Sequence, residues 1–254
     1  LNYSVLGNYS KALELNLKAL SIKEKALGKN HPDYIMSLNN IGSNYSNLGD
    51  YKKSLDYCLK ALSTYESLLG KNHPDYIICL NNIAMTYSLI GDYQKALECY
   101  SQVLIYNENY KGKSHPNYAL SLNNIAITLS RMGDYHKSLE YNKQALIIRE
   151  SIFGIEHPDY IHSLNNIAAN YSDIGDYSKS LEYNLKALNS FEKSQGKNQS
   201  DLALYLNNIA VNYSDLGDNL KSLEYNERAM TIREKVFGKN HPEYAMSLNN
   251  LALN

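Results

Sequence analysis

The feature that most restricts what this chain can fold into is a repeat of fixed length. Leu-Asn-Asn recurs at Leu38, Leu80, Leu122, Leu164, Leu206 and Leu248, every step 42 residues. Gly-Asp follows eleven residues later at Gly49, Gly91, Gly133, Gly175 and Gly217, and His-Pro comes ahead at His31, His73, His115, His157 and His241. A period of this size marks a solenoid or a propeller, since a small unit that cannot bury its own apolar face must stack on its copies. The spacing inside a period decides which. Leu80, Ile83, Ala84 and Tyr87 fall at i, i+3, i+4 and i+7, one stripe of an α-helix. Gly91-Asp92 stops that helix. Tyr93, Ala96, Leu97, Tyr100, Val103 and Leu104 then form a second stripe. The unit is two antiparallel helices, expected at 75–90 and 93–111, and no β-type alternation occurs. The expected fold is all-α.

Leu80, Ala84, Tyr87, Gly91, Tyr93 and Ala96 stand in the large-small-Tyr-Gly-Tyr-Ala order of the tetratricopeptide repeat, and the whole chain resembles that family. The family's usual period is 34 residues; the longer unit here, with its G-K-N-H-P linker, is similar to the repeats of kinesin light chains and related adaptors. The resemblance implies a right-handed α-solenoid superhelix, with the first helix of each pair lining a concave groove that receives protein or peptide ligands.

Composition agrees with this fold. The 25 basic and 26 acidic side chains leave a net charge of −1, with no basic patch to attract nucleic acid or an anionic membrane. No apolar run is long enough to span a bilayer, and no signal peptide is visible. Cys58, Cys79 and Cys99 make no CxxC pair and read as small core residues. A reducing, cytoplasmic setting is expected.

Residues 1–254 are expected to form one solenoid cut at both ends. A partial unit covers 1–32, full units cover 33–74, 75–116, 117–158, 159–200 and 201–242, and a partial unit covers 243–254. Leu1–Leu6 align with the second half of a first helix, and Tyr9–Leu27 form the matching second helix. Gly28, Gly70, Gly112, Gly154, Gly196 and Gly238 end the second helices. Pro32, Pro74, Pro116, Pro158 and Pro242 suit the first turn of the next, where a missing N–H costs nothing; Asp33, Asp75 and Asp159 then meet the positive end of the helix dipole. Gln199-Ser200-Asp201 replaces His-Pro-Asp, with Ser200 as the expected cap.

The five His-Pro histidines do not read as metal ligands, because ligands must converge to about 2 Å from one ion and equivalent residues on stacked helices sit roughly 8–10 Å apart. Sequons such as Asn44-Tyr45-Ser46 and Asn170-Tyr171-Ser172 lie mid-helix with Tyr in the core stripe. No nucleophile–base–acid set, phosphate loop or HExxH occurs, so neither an enzyme nor a cofactor or small-molecule site is expected.

A second stripe of each first helix lies off the core and is expected to face the groove. It carries Asn39, Asn81, Asn123, Asn165 and Asn207 in one column, and Ser4, Ser46, Ser88, Ser130, Ser172 and Ser214 in another. Two positions vary: Ser43, Met85, Ile127, Ala169, Val211 and Leu253, and Asn47, Leu89, Arg131, Asp173 and Asp215. An amide offers a donor and an acceptor, as a peptide bond does, so the Asn column could hold an extended peptide while the varied positions read its side chains. The candidate groove residues are thus Asn39, Asn81, Met85, Ser88, Asn123, Ile127, Arg131, Asn165, Asp173, Asn207 and Asp215. The alternative is that the Asn pairs tie one helix to the next, which suits the second Asn of each pair (Asn40, Asn82, Asn124, Asn166, Asn208) better.

Family modules that grip chaperone tails use Lys and Arg to hold a carboxylate. Here Asn stands at the Lys sites and Arg131 is the one cation in the stripe, so no carboxylate clamp is expected. Ile78, Met85, Leu89, Leu120 and Ile127 are apolar, and His162, Asp173 and Asp215 follow. The expected ligand is an extended or helical peptide with central apolar anchors and a basic residue toward one end. A regulatory or spacer arm of a larger protein is the other reading. One departure from the family is open: Asn16, Cys58, Tyr100, Asn142, Asn184 and Asn226 stand where the second helix normally packs an aromatic. A buried Asn must find a hydrogen bond, on a neighbouring backbone or by rotation to solvent.

Overall fold

The computed structural model describes residues 7–194 and 198–252. Expectations for Leu1–Leu6 (Ser4 among them), Gly196 and Leu253 fall outside the described residues. Among the described residues, twelve helices run in order: α1 Tyr9–Leu27, α2 Pro32–Asn47, α3 Tyr51–Leu69, α4 Pro74–Ile90, α5 Tyr93–Lys111, α6 Pro116–Met132, α7 Tyr135–Phe153, α8 Pro158–Ile174, α9 Tyr177–Lys193, α10 Gln199–Asp215, α11 Asn219–Phe237 and α12 Pro242–Ala252. The even-numbered helices are the first of each pair and the odd-numbered the second. No strand occurs among the described residues.

The chain divides into two compact units, Leu1–Gly112 and Lys113–Asn254. In the first, α1 to α5 pack each on the next, around a core that includes Ile35, Leu38, Cys58, Tyr65, Leu80 and Ile83. In the second, α6 to α12 do the same, with Leu164, Ala187, Phe191, Leu206 and Ile209 at the centre of a core cluster.

The motif residues act at helix ends. Each His-Pro histidine is an N-cap: its Nδ1 accepts the backbone N–H two residues on, at Asp33, Asp75, Asn117, Asp159 and Glu243, over 3.1–3.2 Å. The proline is the first helical residue. Gly-Asp is both a stop and a start. Gly91 ends α4 at φ 92°, and Asp92 caps α5 by accepting the Lys95 N–H while also pairing with Lys95 Nζ at 2.7 Å. That Lys also sits over the Tyr87 ring, and the clasp recurs at Tyr45, Tyr171 and Tyr213. Gly70 closes α3 at φ 80°, ψ 168°, a region essentially reserved for glycine. At α10 the expected cap is corrected. Asn198, not Ser200, accepts the Ser200 N–H; without a proline to set the first turn, Gln199 joins the helix and the amide before it takes over.

Candidate functional site

The Leu-Asn-Asn motif builds a tie between successive first helices. Asn82 Nδ2 donates to Asn39 Oδ1 at 3.1 Å, Asn166 to Asn123 at 3.0 Å and Asn250 to Asn207 at 2.6 Å. Asn39 and Asn123 are buried. The expectation that this column offers a ligand both ends of its amide is therefore corrected at Asn39, Asn123 and Asn207. Their carbonyl oxygens are committed inside the protein, because the second Asn of the next repeat reaches back to them, and only Nδ2 can serve a ligand. Ser88, expected in the groove, is buried.

Arg149 and Arg233, residues of the second helices that the sequence analysis did not single out, complete this tie. Arg149 is 5 % exposed, and its Nη1 donates to Ser163 Oγ (2.7 Å), the Asp159 carbonyl (3.1 Å) and Asn123 Oδ1 (3.4 Å). Burial pulls its pKa below the ordinary arginine value, with the Asp159 charge opposing. Arg233 repeats the arrangement on Ser247 and Asn207, and adds an ion pair from Nε to Glu243. Lys23 does so on Ser37 and the Asp33 carbonyl. Where the second helix carries an aromatic at this position, the partner differs: Phe191 meets Tyr205 edge-on at 5.2 Å, and Tyr65 stands fourteen residues before Cys79. The signal was in the repeats, since at this position Lys23, Asn107, Arg149 and Arg233 are followed fourteen residues later by Ser, whereas Tyr65 and Phe191 are not.

Of the unusual second-helix Asn residues, Asn142 and Asn184 bond to side chains rather than to neighbouring backbone. Ser138 Oγ gives its one proton to the Ala126 carbonyl at 2.7 Å. It can therefore only accept from Asn142 Nδ2 (3.5 Å) and Asn170 Nδ2 (2.6 Å). One repeat on, Asn184 Nδ2 donates to Asn212 Oδ1 at 2.7 Å, and Asn212 Nδ2 donates to Ser180 Oγ at 2.9 Å. Both networks leave a carbonyl over: Asn142 Oδ1 and Asn184 Oδ1 are buried with no partner, as is Asn165 Oδ1.

These residues lie where the first helices of the second unit open into three recesses. A cleft of about 500 Å³ is bordered by Leu120, Ile127, Leu204 and Tyr205, with Arg149, Asn123 and Asn165 among its polar residues. A recess of about 220 Å³ joins Ile127 and Arg131 to Asn142 and Asn170. A second of about 220 Å³ joins Asn165 and Asp173 to Asn184 and Asn212. The structure thus brings together Asn123, Ile127, Arg131, Asn165 and Asp173; none of the three recesses borders Asn207 or Asp215. In the first unit, Asn39, Asn81, Met85 and Ser88 sit on α2 and α4, where Met36, Ile78 and Leu89 are exposed. The second unit exposes Leu120 and Leu204 on the equivalent face, and Leu204 was not among the expected residues.

Cys58 and Cys79 are buried, and Cys79 Sγ donates to the Cys58 carbonyl at 3.1 Å; burial pushes the Cys99 thiol up to about 11. Among the described residues, no three His, Cys, Asp or Glu come together as a metal site, and no helix is long and apolar enough to cross a membrane.

The tetratricopeptide repeat profile matches residues 1–53, 35–105, 91–147, 117–193 and 201–254. The chain belongs to the tetratricopeptide repeat family. Members of this family typically serve as non-catalytic scaffolds for proteins. Among solved structures the repeat array is similar to BtubC (BKLC) from P. vanneervenii, at 20% identity over 91% of this chain and 94% of that one, with a TM-score of 0.76. A Podosopora anserina protein with nearly identical TPR-like repeats, described as a kinesin light chain, is 22% identical over 76% of this chain and 92% of its own, with a TM-score of 0.66. A Rap protein solved in complex with Competence and Sporulation Factor is 15% identical over 99% of this tetratricopeptide repeat chain and 71% of its own, with a TM-score of 0.66. No curated protein sequence matches the chain.

Proposed function

We propose that this tetratricopeptide repeat chain is an interaction scaffold that binds a peptide segment of a partner protein along its first helices, at α6, α8 and α10. The observation that carries this reading is the row of three recesses, each lined by residues of the first helices and each bordered by an Asn whose buried carbonyl lacks a donor. A buried acceptor left unpaired costs stability, and a ligand that supplies the missing donor recovers it. Leu120 and Leu204, about half exposed at equivalent positions of α6 and α10, add apolar anchors of the kind an interface buries at its centre.

First helices about 10 Å apart give three of them a span of roughly 20 Å, or about six residues of extended chain. The Asn123 and Asn165 amides are placed to meet the backbone of such a segment, and Ile127, Arg131 and Asp173 to read its side chains. The Rap protein, whose structure holds a bound factor, supports ligand binding as a use of this architecture.

The test is selection of binders from an immobilised degenerate peptide library, with the Leu120→Glu, Leu204→Glu double variant beside the parent. Both side chains are exposed, so the variant should keep its helical circular dichroism. Peptides enriched by the parent and lost by the variant support the groove. Enrichment of the same peptides by both would overturn it.

A further inference from the structure

The two smaller recesses are built by equivalent residues one repeat apart, yet they differ in charge. The recess at Asn142 is bordered by Arg131. In the recess at Asn184 the corresponding residue is Asp173, and no Lys, Arg or His borders it. The second recess also carries two orphan acceptors rather than one. Asn184 is 4 % exposed, and its nitrogen is committed to Asn212, which leaves Oδ1 without a donor. Asn165 Oδ1 is likewise buried and unpaired. Two carbonyls and a carboxylate, with no cation among them, give the recess an excess of acceptors, although Ser172 and Asn208 also border it.

We infer that this recess receives a primary ammonium group, the end of a lysine side chain on the bound peptide. The inference rests on the peptide-binding reading above and adds the residue that the recess reads. An ammonium has three N–H donors and no acceptor, which matches Asn165 Oδ1, Asn184 Oδ1 and the Asp173 carboxylate one for one. A planar guanidinium brings five donors in a rigid fork, more than these three groups answer one for one. Ala169 and half-exposed Val211 border the recess and offer apolar surface to the methylene stem, as lysine stems commonly find. The volume of about 220 Å³ far exceeds the roughly 30 Å³ that one water occupies in the liquid. The recess at Asn142, with Arg131 at its border, rejects the same group.

Two measurements on the full chain test the assignment. In the first, n-butylammonium and neutral n-butanol are titrated in turn while the side-chain amide signals of Asn165 and Asn184 are followed by NMR. The ammonium should shift both signals and the alcohol should not, with the response lost in Asp173→Asn. No response, or an equal response to the alcohol, would mean the recess holds only water, and the assignment falls. In the second, a degenerate peptide library is selected on the parent and on Asp173→Asn, an exposed substitution that leaves the fold intact. Lysine should be enriched at one position by the parent, and peptides carrying it should bind the variant about tenfold or more weakly. Selection without lysine enrichment would overturn the lysine assignment and leave the groove standing. A butylammonium response with no peptide selected would refute peptide lysine as the source and the groove reading with it, and would leave a site for free alkylammonium compounds.

Discussion

Arg149 tests how the repeats are held together, because its removal and its replacement should have different consequences. Its Nη1 makes three hydrogen bonds, to Ser163, Asp159 and Asn123. Bonds from a charged donor contribute about 1.5–3 kcal/mol each when a partner is left bare, but these partners are not left bare. Ser163 Oγ still donates to the Asp159 carbonyl at 3.2 Å, and Asn123 Oδ1 still receives Asn166. The desolvation cost of the buried guanidinium is also relieved. Arg149→Met should therefore cost only about 1–2 kcal/mol, not the 3–5 of a broken buried ion pair. The sharper version copies the arrangement of the next repeat, where Phe191 and Tyr205 occupy the two positions. Arg149→Phe and Ser163→Tyr should each destabilise singly, the first by stranding Ser163 beside a ring, the second by crowding the guanidinium. The double variant should recover at least about 1 kcal/mol relative to the sum. Urea unfolding followed by circular dichroism measures this. Additivity within about 0.5 kcal/mol would show that the two positions are not coupled, and the exchange of a cationic for an aromatic tie between these two repeats would lose its explanation.

Other consequences follow from the same packing. A Cβ on Gly42 would lie 2.3 Å from Cys58 Sγ and 3.1 Å from the Ser54 carbonyl, so Gly42→Ala should lower the urea midpoint despite the better helix propensity of Ala, and Gly42→Ala, Cys58→Ala should recover part of the loss. His73→Ala removes the α4 cap and should cost about 1 kcal/mol, whereas His73→Asn should be close to neutral; thermal melts compare them. Burial pushes the Tyr65 and Tyr205 hydroxyls up to about 12. Unfolded tyrosine ionises near pH 10, so over pH 10–12 the unfolded state releases protons that the folded state keeps, and stability should fall as pH rises. Each two-unit shift corresponds to about 2–3 kcal/mol by pH 12. Tyr65→Phe with Tyr205→Phe should flatten that alkaline limb, and an unchanged slope would refute the assignment.

The fold was legible because every level of the sequence repeats. The 42-residue period, the helical stripes and the Gly-Asp and His-Pro punctuation agree on the same helix pairs, and the expected helix at 93–111 is observed as α5 with those bounds. The roles of single polar residues were less legible. A helical wheel places Asn123 off the apolar stripe, but it cannot show that Asn166 of the next repeat closes over its oxygen. That contact joins residues 43 apart in sequence, and its existence depends on how closely successive first helices pack. Arg149 was missed because a cation on a second helix reads as a solvated surface residue until its partner Ser163 is placed beside it. The orphan carbonyls of Asn142 and Asn184 were unreadable for a similar reason: which end of an amide is left over is settled by the whole network of Ser and Asn around it.

The central claim is that ligands dock on the first helices of the second unit. Hydrogen exchange of the chain, alone and saturated with a peptide selected from the library, tests this most directly. The account predicts slowed exchange in α6, α8 and α10, strongest around residues 120–131, 162–173 and 204–212, with α7, α9 and α11 changed little on their solvent-facing sides. Protection confined to the second helices would contradict it.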